Sequence, residues 1–337
     1  MLKFIGIHKG VVDKMKKKIL LINTGGTISM SEDRGTGKVS PSSENPINQS
    51  DSIFSYIADV IVEELYHLPS PHITIKEMDG LRQRIEKAEI ERYDGVVVTH
   101  GTDTLEETAY FLDLTLDIKI PVVITGAMRS SNEIGSDGLA NLRSALLVAA
   151  SEEAKNYGVL VVMNDEVHAA AYVTKTHTTN VATFQTPTFG PIALVSKSDV
   201  IFFQKFLRKE TYKTKRLDKK VHLLKSYAGM DGELIDAIKK LGADGLVIEA
   251  LGSGNLPPAT EESIKRCIEE GMIVVFVSRA FNGVTRDVYD YAGGGKRFKQ
   301  DGVIFTTGLS GQKARLKLLV LLNSDVEKEE LAKKFEI

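Results

Sequence analysis

Two loops that combine threonine with glycine are the segments of this sequence whose residue types suggest chemistry. Each follows a short apolar run, as TGGTIS over 24–29 and as THGTDT over 99–104. A threonine hydroxyl attacks an acyl carbon when a neighbouring base removes its proton, and glycines let backbone N–H groups approach an oxyanion. An isolated threonine of this kind is usually a helix cap or a turn residue, but two similar loops weaken that interpretation. Neither loop matches the P-loop or the GxGxxG pattern, so a nucleotide site is poorly supported.

Charged residues accompany the second loop. Asp103 directly follows Thr102, and it is either a helix N-cap or a carboxylate that faces a substrate ammonium. Lys175, in the polar segment AYVTKTHTTN, is on its own most simply a solvated surface lysine. A desolvated lysine beside Thr102 and Asp103 would instead have a lowered pKa and could serve as a base. His100 and His177 have no evident partner in the sequence, so both are expected to be structural.

Apolar runs that alternate with helical periodicities surround these residues and predict a mainly parallel sheet covered by helices. The expected strands of the first half are 17–24, 95–100, 121–126 and 158–163, with helices around 76–90, 104–116 and 136–153. The expected strands of the second half are 221–226, 245–250, 272–278 and 303–307, with helices near 232–241, 260–270 and 311–323. Ligands of parallel sheets bind beyond the carboxyl ends of the strands, and both threonine loops stand at such ends.

The pattern predicts an α/β protein of two domains. The expected boundaries are an N-terminal extension over 1–16, a catalytic domain over 17–204, a linker over 205–221 and a C-terminal α/β domain over 222–337. The linker is expected because KFLRKETYKTKRLDKKV is strongly basic and poor in apolar residues, and a patch for an anionic surface is the alternative. Met15 precedes three lysines and resembles an ordinary start. Residues 1–14 are therefore expected to be a loose tail or annotation excess, with a helical or edge-strand extension as the alternative.

Composition restricts the classes of function. The 337 residues include 43 basic and 45 acidic side chains, a net charge of −2, so no global positive field favours a nucleic-acid partner. The one cysteine, Cys267, cannot form an internal disulfide, and no Cys/His cluster suggests zinc. The sequence contains neither an apolar run of about 20 residues nor an organised signal peptide. A cytoplasmic protein without metal, cofactor or membrane partner is therefore expected.

These motifs resemble those of the bacterial-type L-asparaginases, also called the asparaginase/glutaminase family. The segments TGGTIS and DGVVVTHGTDTLEETA are similar to the two signature loops of the family. Further similar blocks follow in order, at 124–142, 173–187, 250–258 and 313–319. The resemblance implies a two-domain asparaginase-like fold, with a larger, mostly parallel N-terminal sheet domain and a smaller parallel C-terminal α/β domain. It also implies hydrolysis of L-asparagine to L-aspartate and ammonia through an acyl-threonine, in a homo-oligomer that is expected to be a tetramer built as a dimer of dimers.

The resemblance further implies roles for individual residues. Thr27 is similar to the nucleophile of the family, Thr102 and Lys175 to its proton relay, and Asp103 to the carboxylate that binds the substrate α-ammonium. Backbone N–H groups near Gly101 and Thr102 are the candidates for the oxyanion hole. The other implied substrate contacts are Gly26 on the nucleophile loop, Ser70 for the α-carboxylate, and Asn255 from a neighbouring subunit.

Three departures from the family pattern leave the activation of Thr27 and the choice between asparagine and glutamine open. The loop after the nucleophile, residues 29–43, lacks the tyrosine that assists deprotonation in many members. The acidic residue that reaches across from the partner in some members aligns near Tyr289. The hypothesis is that Tyr289 takes over its role. Pro71 stands where a polar substrate contact often follows the serine. The polar, glycine-containing loop itself is predicted to be a lid, with a plain surface loop as the alternative.

Other functions are compatible with these loops and compete with the hydrolysis of asparagine. A glutaminase-asparaginase of broader specificity stays open, because the sequence does not measure the side-chain pocket. A non-catalytic amino-acid sensor needs the binding loops but no nucleophile, so the intact Thr27, Thr102 and Lys175 argue against it. A subunit of a tRNA-dependent amidotransferase shares the loops but resembles a longer chain with a preceding domain. The 23 residues before Thr24 are too few for such a domain.

Overall fold

The architecture is described from a computed structural model, which covers residues 16–33, 35–36, 38–41, 53–205 and 210–336. Within these ranges the chain forms an eight-stranded sheet, a four-stranded sheet and two small two-stranded ribbons. The expectations for residues 1–14 lie outside the described residues. None of the described helices is long and apolar enough to cross a bilayer.

The first part of the chain forms the eight-stranded sheet and both ribbons. Its strands are β1 (Lys18–Asn23), β2 (Met30–Glu32), β3 (Val39–Pro41), β4 (Asp59–Glu64), β5 (Gly95–Thr99), β6 (Val122–Thr125), β7 (Val159–Met163), β8 (Glu166–Ala169), β9 (Thr174–Lys175), β10 (Phe184–Gln185), β11 (Ala193–Ser196) and β12 (Asp199–Phe202). The large sheet has the order β12-β11-β8-β7-β6-β5-β1-β4. Five neighbouring strands of this sheet are parallel, namely β7, β6, β5, β1 and β4. Strands β8, β11 and β12 extend the sheet in antiparallel fashion. The ribbons pair β2 with β3 and β9 with β10.

The central strands of this sheet are buried on both faces, as their uninterrupted apolar sequences predict. Successive residues of β1 point to opposite faces: Leu20 and Ile22 join one apolar core, and Ile19 and Leu21 join the other. The helices over these cores are α1 (Ile75–Ile90) and α2 (Leu105–Thr115) on one face and α3 (Gly138–Ala149) on the other. The predicted α/β class with a mostly parallel sheet is confirmed, while strands β4, β8, β11 and β12 are additions that the sequence did not predict.

The second part of the chain forms the parallel four-stranded sheet. Its strands, in spatial order, are β13 (Val221–Lys225), β14 (Gly245–Ala250), β15 (Ile273–Ser278) and β16 (Ile304–Phe305). Its helices are α4 (Glu233–Lys240), α5 (Glu261–Glu269), α6 (Gly295–Gln300), α7 (Gly311–Leu322) and α8 (Leu331–Phe335). Helix α7 packs on this sheet and also against α2, so apolar side chains of both parts share one buried cluster.

Of the predicted linker over 205–221, residues 205 and 210–220 are described and form no helix or strand, whereas Val221 begins β13. It does not run free of the first part of the chain. Tyr212 is buried, and its N–H donates to the carbonyl of Leu114 in the last turn of α2 (2.8 Å). The domain boundaries themselves stay a prediction.

Candidate active site

The carboxyl ends of three adjacent parallel strands, β4, β1 and β5, lead into the segments that contain Ser70, Thr27 and Thr102. Backbone hydrogen bonds join these segments just beyond the strands. Thr24 N–H donates to the carbonyl of Thr99 (3.1 Å), and Leu68 N–H donates to the carbonyl of Thr24 (3.1 Å). The three segments therefore lie side by side at one edge of the sheet, where ligands of parallel sheets bind.

Gly26 allows the two threonine loops to touch. Its φ is +87°, and a Cβ atom added there would lie 2.4 Å from the Cα and N atoms of Gly101. Both the backbone conformation and the close approach therefore require glycine. Thr27 follows in a short 3₁₀ turn, Thr27–Ser29, in which Ser29 N–H donates to the Gly26 carbonyl (3.0 Å). This turn leaves the Thr27 side chain half-buried on the loop that touches Gly101.

The substitution Gly26→Ala should separate the two loops. Because the new Cβ atom would meet backbone rather than a flexible side chain, both loops must move, and strain at positive φ adds about 1–2 kcal/mol. We expect a lower melting temperature together with a loss of any activity that needs both loops. Thermal melting and turnover, measured on the same preparation, check this.

Gly271→Ala is the matched control for that substitution. Gly271 has a φ of +90°, but nothing lies within 4 Å of an added Cβ atom. It therefore carries the conformational strain alone, and its activity per folded molecule should equal that of the intact protein. Equal losses in the two variants would show that the approach of Gly26 to Gly101 has no functional consequence.

Ser70 lies against the second threonine loop. The residue is buried, and its Oγ accepts a hydrogen bond from Asp103 N–H (3.2 Å). Its carbonyl accepts a second hydrogen bond, from Thr104 Oγ1 (2.8 Å). The Ser70 hydroxyl thus still has its own proton to donate, for instance to a carboxylate.

Lys175 is brought to the second loop by the ribbon of β9 and β10. Its Nζ donates to Thr102 Oγ1 (3.0 Å) and to Asp103 Oδ1 (2.7 Å). The side chain of Lys175 is 16% exposed and that of Asp103 is 63% exposed. Lys175 is therefore not the solvated surface lysine that its polar segment suggests on its own. A buried hydroxyl, an amine and a carboxylate in hydrogen-bond contact form a chain that can pass a proton.

His100 supports the backbone of this loop. Its ring is fully buried, with Nδ1 2.8 Å from the carbonyl oxygen of Gly101 and Nε2 2.9 Å from Thr108 Oγ1. Burial lowers the pKa of His100 to about 4, so the ring is neutral near pH 7. His177 is exposed and accepts from the N–H groups of Thr179 and Asn180. Both histidines hold local backbone, in agreement with the structural role expected of them.

Asn255 and Tyr289 lie in the second part of the chain, and their contacts there are local. The Oδ1 atom of Asn255 accepts from Gly295 N–H (3.1 Å), and the Asn255 carbonyl accepts from Leu251 N–H (2.8 Å). Tyr289 is 47% exposed, and its ring centroid is 5.6 Å from that of Tyr291. Their expected role in the site of a neighbouring subunit stays a prediction.

The loop predicted to be a lid falls partly outside the described residues. Its described parts form the ribbon of β2 and β3, which is tied to the segment after β6. Glu32 and Asn132 exchange two hydrogen bonds of 2.8 Å, and Ser131 N–H donates to the carbonyl of Met30 (3.1 Å). The lid therefore also stays a prediction.

Sequence reasoning missed two buried charges beside Lys175. Glu106, on the first turn of α2, is 5% exposed, and Lys313, on the first turn of α7, has a side chain that is 1% exposed. Burial lowers the pKa of Lys313 to about 8. The available signal was periodicity, because Lys313 stands on the apolar stripe of Leu316 and Val320 at helical spacing. Within the ranges that the structure covers, no group of three or more His, Cys, Asp or Glu side chains is arranged to hold a metal ion.

The two sheets define a two-domain α/β protein, in which threonine and lysine side chains cluster at one edge of the larger sheet. The family model described as "Asparaginase, N-terminal" matches residues 18–208, and the model described as "Glutaminase/Asparaginase C-terminal domain" matches residues 220–335. The chain belongs to the asparaginase family. It is a hydrolase of that family, as its resemblance to the two signature loops implied.

Similar proteins extend over most of the chain. An L-asparaginase of Bacillus licheniformis is 36% identical over 311 residues, which cover 92% of this chain and 97% of that protein. A probable L-asparaginase of Deinococcus radiodurans is 38% identical over 325 residues, covering 94% and 97% of the two chains. The crystal structure of a probable cytoplasmic L-asparaginase from Campylobacter jejuni, 31% identical, superposes with a TM-score of 0.84 and covers 95% of this chain and 99% of its own.

Proposed function

We propose that this protein hydrolyses L-asparagine to L-aspartate and ammonia. The observation that carries the proposal is the contact of Lys175 Nζ with Thr102 Oγ1 (3.0 Å) and Asp103 Oδ1 (2.7 Å). This contact lies beyond the end of β5, and β5 is paired with β1, the strand that precedes Thr27. A second threonine with its own lysine has the chemistry needed to pass protons to and from a nucleophilic threonine. The relatives named L-asparaginase support this substrate.

In the proposed reaction Thr27 Oγ1 attacks the carbon of the side-chain amide. The proton of Thr27 passes through Thr102 and Lys175, and the C–N bond then breaks as the leaving nitrogen takes a proton and departs as ammonia. Water next attacks the aspartyl ester on Thr27, releasing aspartate and restoring the hydroxyl. Backbone N–H groups near Gly101 and Thr102 would stabilise the oxyanion in both steps.

Recognition of the amino-acid end follows from the same loops. The Asp103 carboxylate, which is 63% exposed, would bind the α-ammonium, and the remaining donor of Ser70 would bind the α-carboxylate. The backbone at Gly26 would contact the substrate next to the nucleophile. These assignments require no metal and no cofactor.

The proposed assembly is a homotetramer built as a dimer of dimers. In it, Asn255 and Tyr289 would reach the site of a neighbouring subunit. Tyr289 is exposed, and Asn255 is half-buried in the turn that follows β14. The proposed compartment is the cytoplasm, which is also the compartment in the name of the Campylobacter jejuni protein. The proposed domains are 17–204 and 222–337, joined by 205–221.

Release of ammonia from L-asparagine and from L-glutamine, measured separately on purified protein, tests the proposal. Rapid release from asparagine with weak release from glutamine is the expected result. Comparable rates would instead favour the glutaminase-asparaginase of broader specificity. If neither amide is hydrolysed although L-aspartate binds, the hydrolase proposal fails and the amino-acid sensor replaces it.

A further inference from the structure

The loop that carries Lys175 is held from two sides by buried polar groups. From α2, Glu106 Oε1 accepts from Lys175 N–H (3.2 Å) and from Thr174 Oγ1 (3.0 Å). From α7, Lys313 Nζ donates to the carbonyls of Ala170 (2.7 Å) and Val173. The loop from 170 to 175 is thus fixed at both of its ends.

The two holding groups are also joined to each other. Glu106 Oε2 accepts from Gln312 Nε2 (3.2 Å) and lies 3.8 Å from Lys313 Nζ. Glu106, Gln312 and Lys313 therefore form one polar cluster, here called the clamp, between α2 and α7. Because α7 packs on the four-stranded sheet, the clamp links that sheet to the loop of Lys175.

We propose that the clamp positions Lys175 for proton transfer with Thr102, so that the second domain sets the geometry of the site in its own chain. This inference rests on the proposed function. In it Glu106 and Lys313 are positioning residues, since they contact the backbone of the Lys175 loop. Lys175 remains the group that exchanges the proton.

Geometry favours positioning over a purely stabilising role. Strand β9 contains two residues, and its ladder with β10 holds Lys175 from one side only. The bond from Lys175 N–H to Glu106 is the anchor on the other side. Glu106 follows Asp103 by three positions in the first turn of α2, so the turn that contains Thr102 and Asp103 leads directly into the helix that holds the backbone of Lys175.

The charges of the clamp depend on each other. Lys313 is buried, and an uncompensated buried cation is costly, so loss of the Glu106 charge destabilises the charged form of Lys313. The amide of a glutamine at position 106 would in addition turn an N–H₂ group toward the ammonium of Lys313, which can only donate. The double variant Glu106→Gln with Gln312→Glu moves the carboxylate to position 312. The hydrogen bond between positions 106 and 312 then runs from the amide at 106 to the carboxylate at 312, and a negative charge stays beside Lys313.

The experiment compares Glu106→Gln, Gln312→Glu and the double variant, with Glu86→Gln as the control, because the Glu86 carboxylate pairs with Arg82 on α1 (2.7 Å). Glu106→Gln should lower kcat about 10- to 100-fold, because a displacement of about 1 Å at a catalytic group has effects of this size. KM and the Kd for L-aspartate should change less than about threefold, since Ser70 and Asp103 stay in place. The double variant should recover about tenfold of the loss, and Glu86→Gln should stay within about twofold of the intact protein.

Crystal structures of the same variants supply a readout that does not depend on turnover. The contact of Lys175 Nζ with Thr102 Oγ1 should be lost in Glu106→Gln and restored in the double variant. The inference is overturned if kcat per folded molecule is unchanged in Glu106→Gln while only the melting temperature falls. An unmoved Lys175, or a double variant no better than the single one, also overturns it. An intact protein that hydrolyses neither amide refutes the proposed function alone, since the structures still decide whether the clamp positions Lys175.

Discussion

Replacing Thr27 with alanine should leave a folded protein that hydrolyses L-asparagine several orders of magnitude more slowly. The hydroxyl is the group that forms the ester in the proposed reaction. The other hydroxyl of the 3₁₀ turn, that of Ser29, is buried and donates to the Gly26 carbonyl (2.9 Å). Removal of a nucleophile with the rest of the site intact costs at least about 10³-fold, or about 4 kcal/mol of transition-state stabilisation. Ammonia release measures the rate of the variant, and thermal melting shows whether the variant is folded.

Thr27→Ser is the matched control, since it keeps the hydroxyl and removes a methyl group. It should retain much more activity than Thr27→Ala, at an almost unchanged melting temperature. Mass spectrometry of acid-quenched protein during turnover should find the aspartyl ester on the peptide that contains Thr27. Substantial turnover by Thr27→Ala, or an ester on the peptide of Thr102, would move the nucleophile to the second loop.

The central strands of the fold were predictable because burial on both faces leaves a plain signature. The runs that become β1, β5 and β7 are almost wholly apolar, and no charge interrupts their buried residues. Strand β4 was missed because it lies at the edge of the sheet and ends in two glutamates. Strand β12 was missed for a related reason, since its residues are alternately exposed and half-buried. Short edge strands of this kind resemble loops in a single sequence.

Part of the candidate site could likewise be predicted from the sequence, and part could not. The threonine loops could be located from the sequence because strand ends of a parallel sheet meet at one edge. The resemblance to a known family then supplied Lys175, whose own segment indicates a surface lysine. Glu106 and Lys313 could not be recognised as partners, because the helical spacing that places Lys313 on an apolar stripe does not say which helix packs against it. Their contact joins positions far apart in the chain, which only the packing of α2 on α7 brings together.

Replacing Lys175 with methionine should disable hydrolysis almost as fully as replacing Thr27 with alanine. The methionine side chain is of similar length but cannot donate to Thr102 or Asp103, so the proton path from the second threonine is cut. Loss of a positioned acid–base group costs about 10²–10⁴-fold in kcat. We expect this loss in kcat together with little change in the melting temperature, because ion pairs with one exposed partner contribute at most about 1 kcal/mol to stability. A fully active variant would show that Lys175 has no part in the reaction.

Two further variants separate proton transfer from charge alone. Lys175→Arg keeps the positive charge beside Asp103 but does not give up its proton in a protein, so it should stay inactive if Lys175 relays protons. Recovery of activity by arginine would instead make Lys175 a fixed cation that orients Asp103. Lys219→Met provides the comparison, since it removes a similar pair, from Lys219 Nζ to Asp244 Oδ1 at 3.0 Å, in the second part of the chain. Its turnover should match that of the intact protein, because that pair touches none of the residues that the proposed reaction uses.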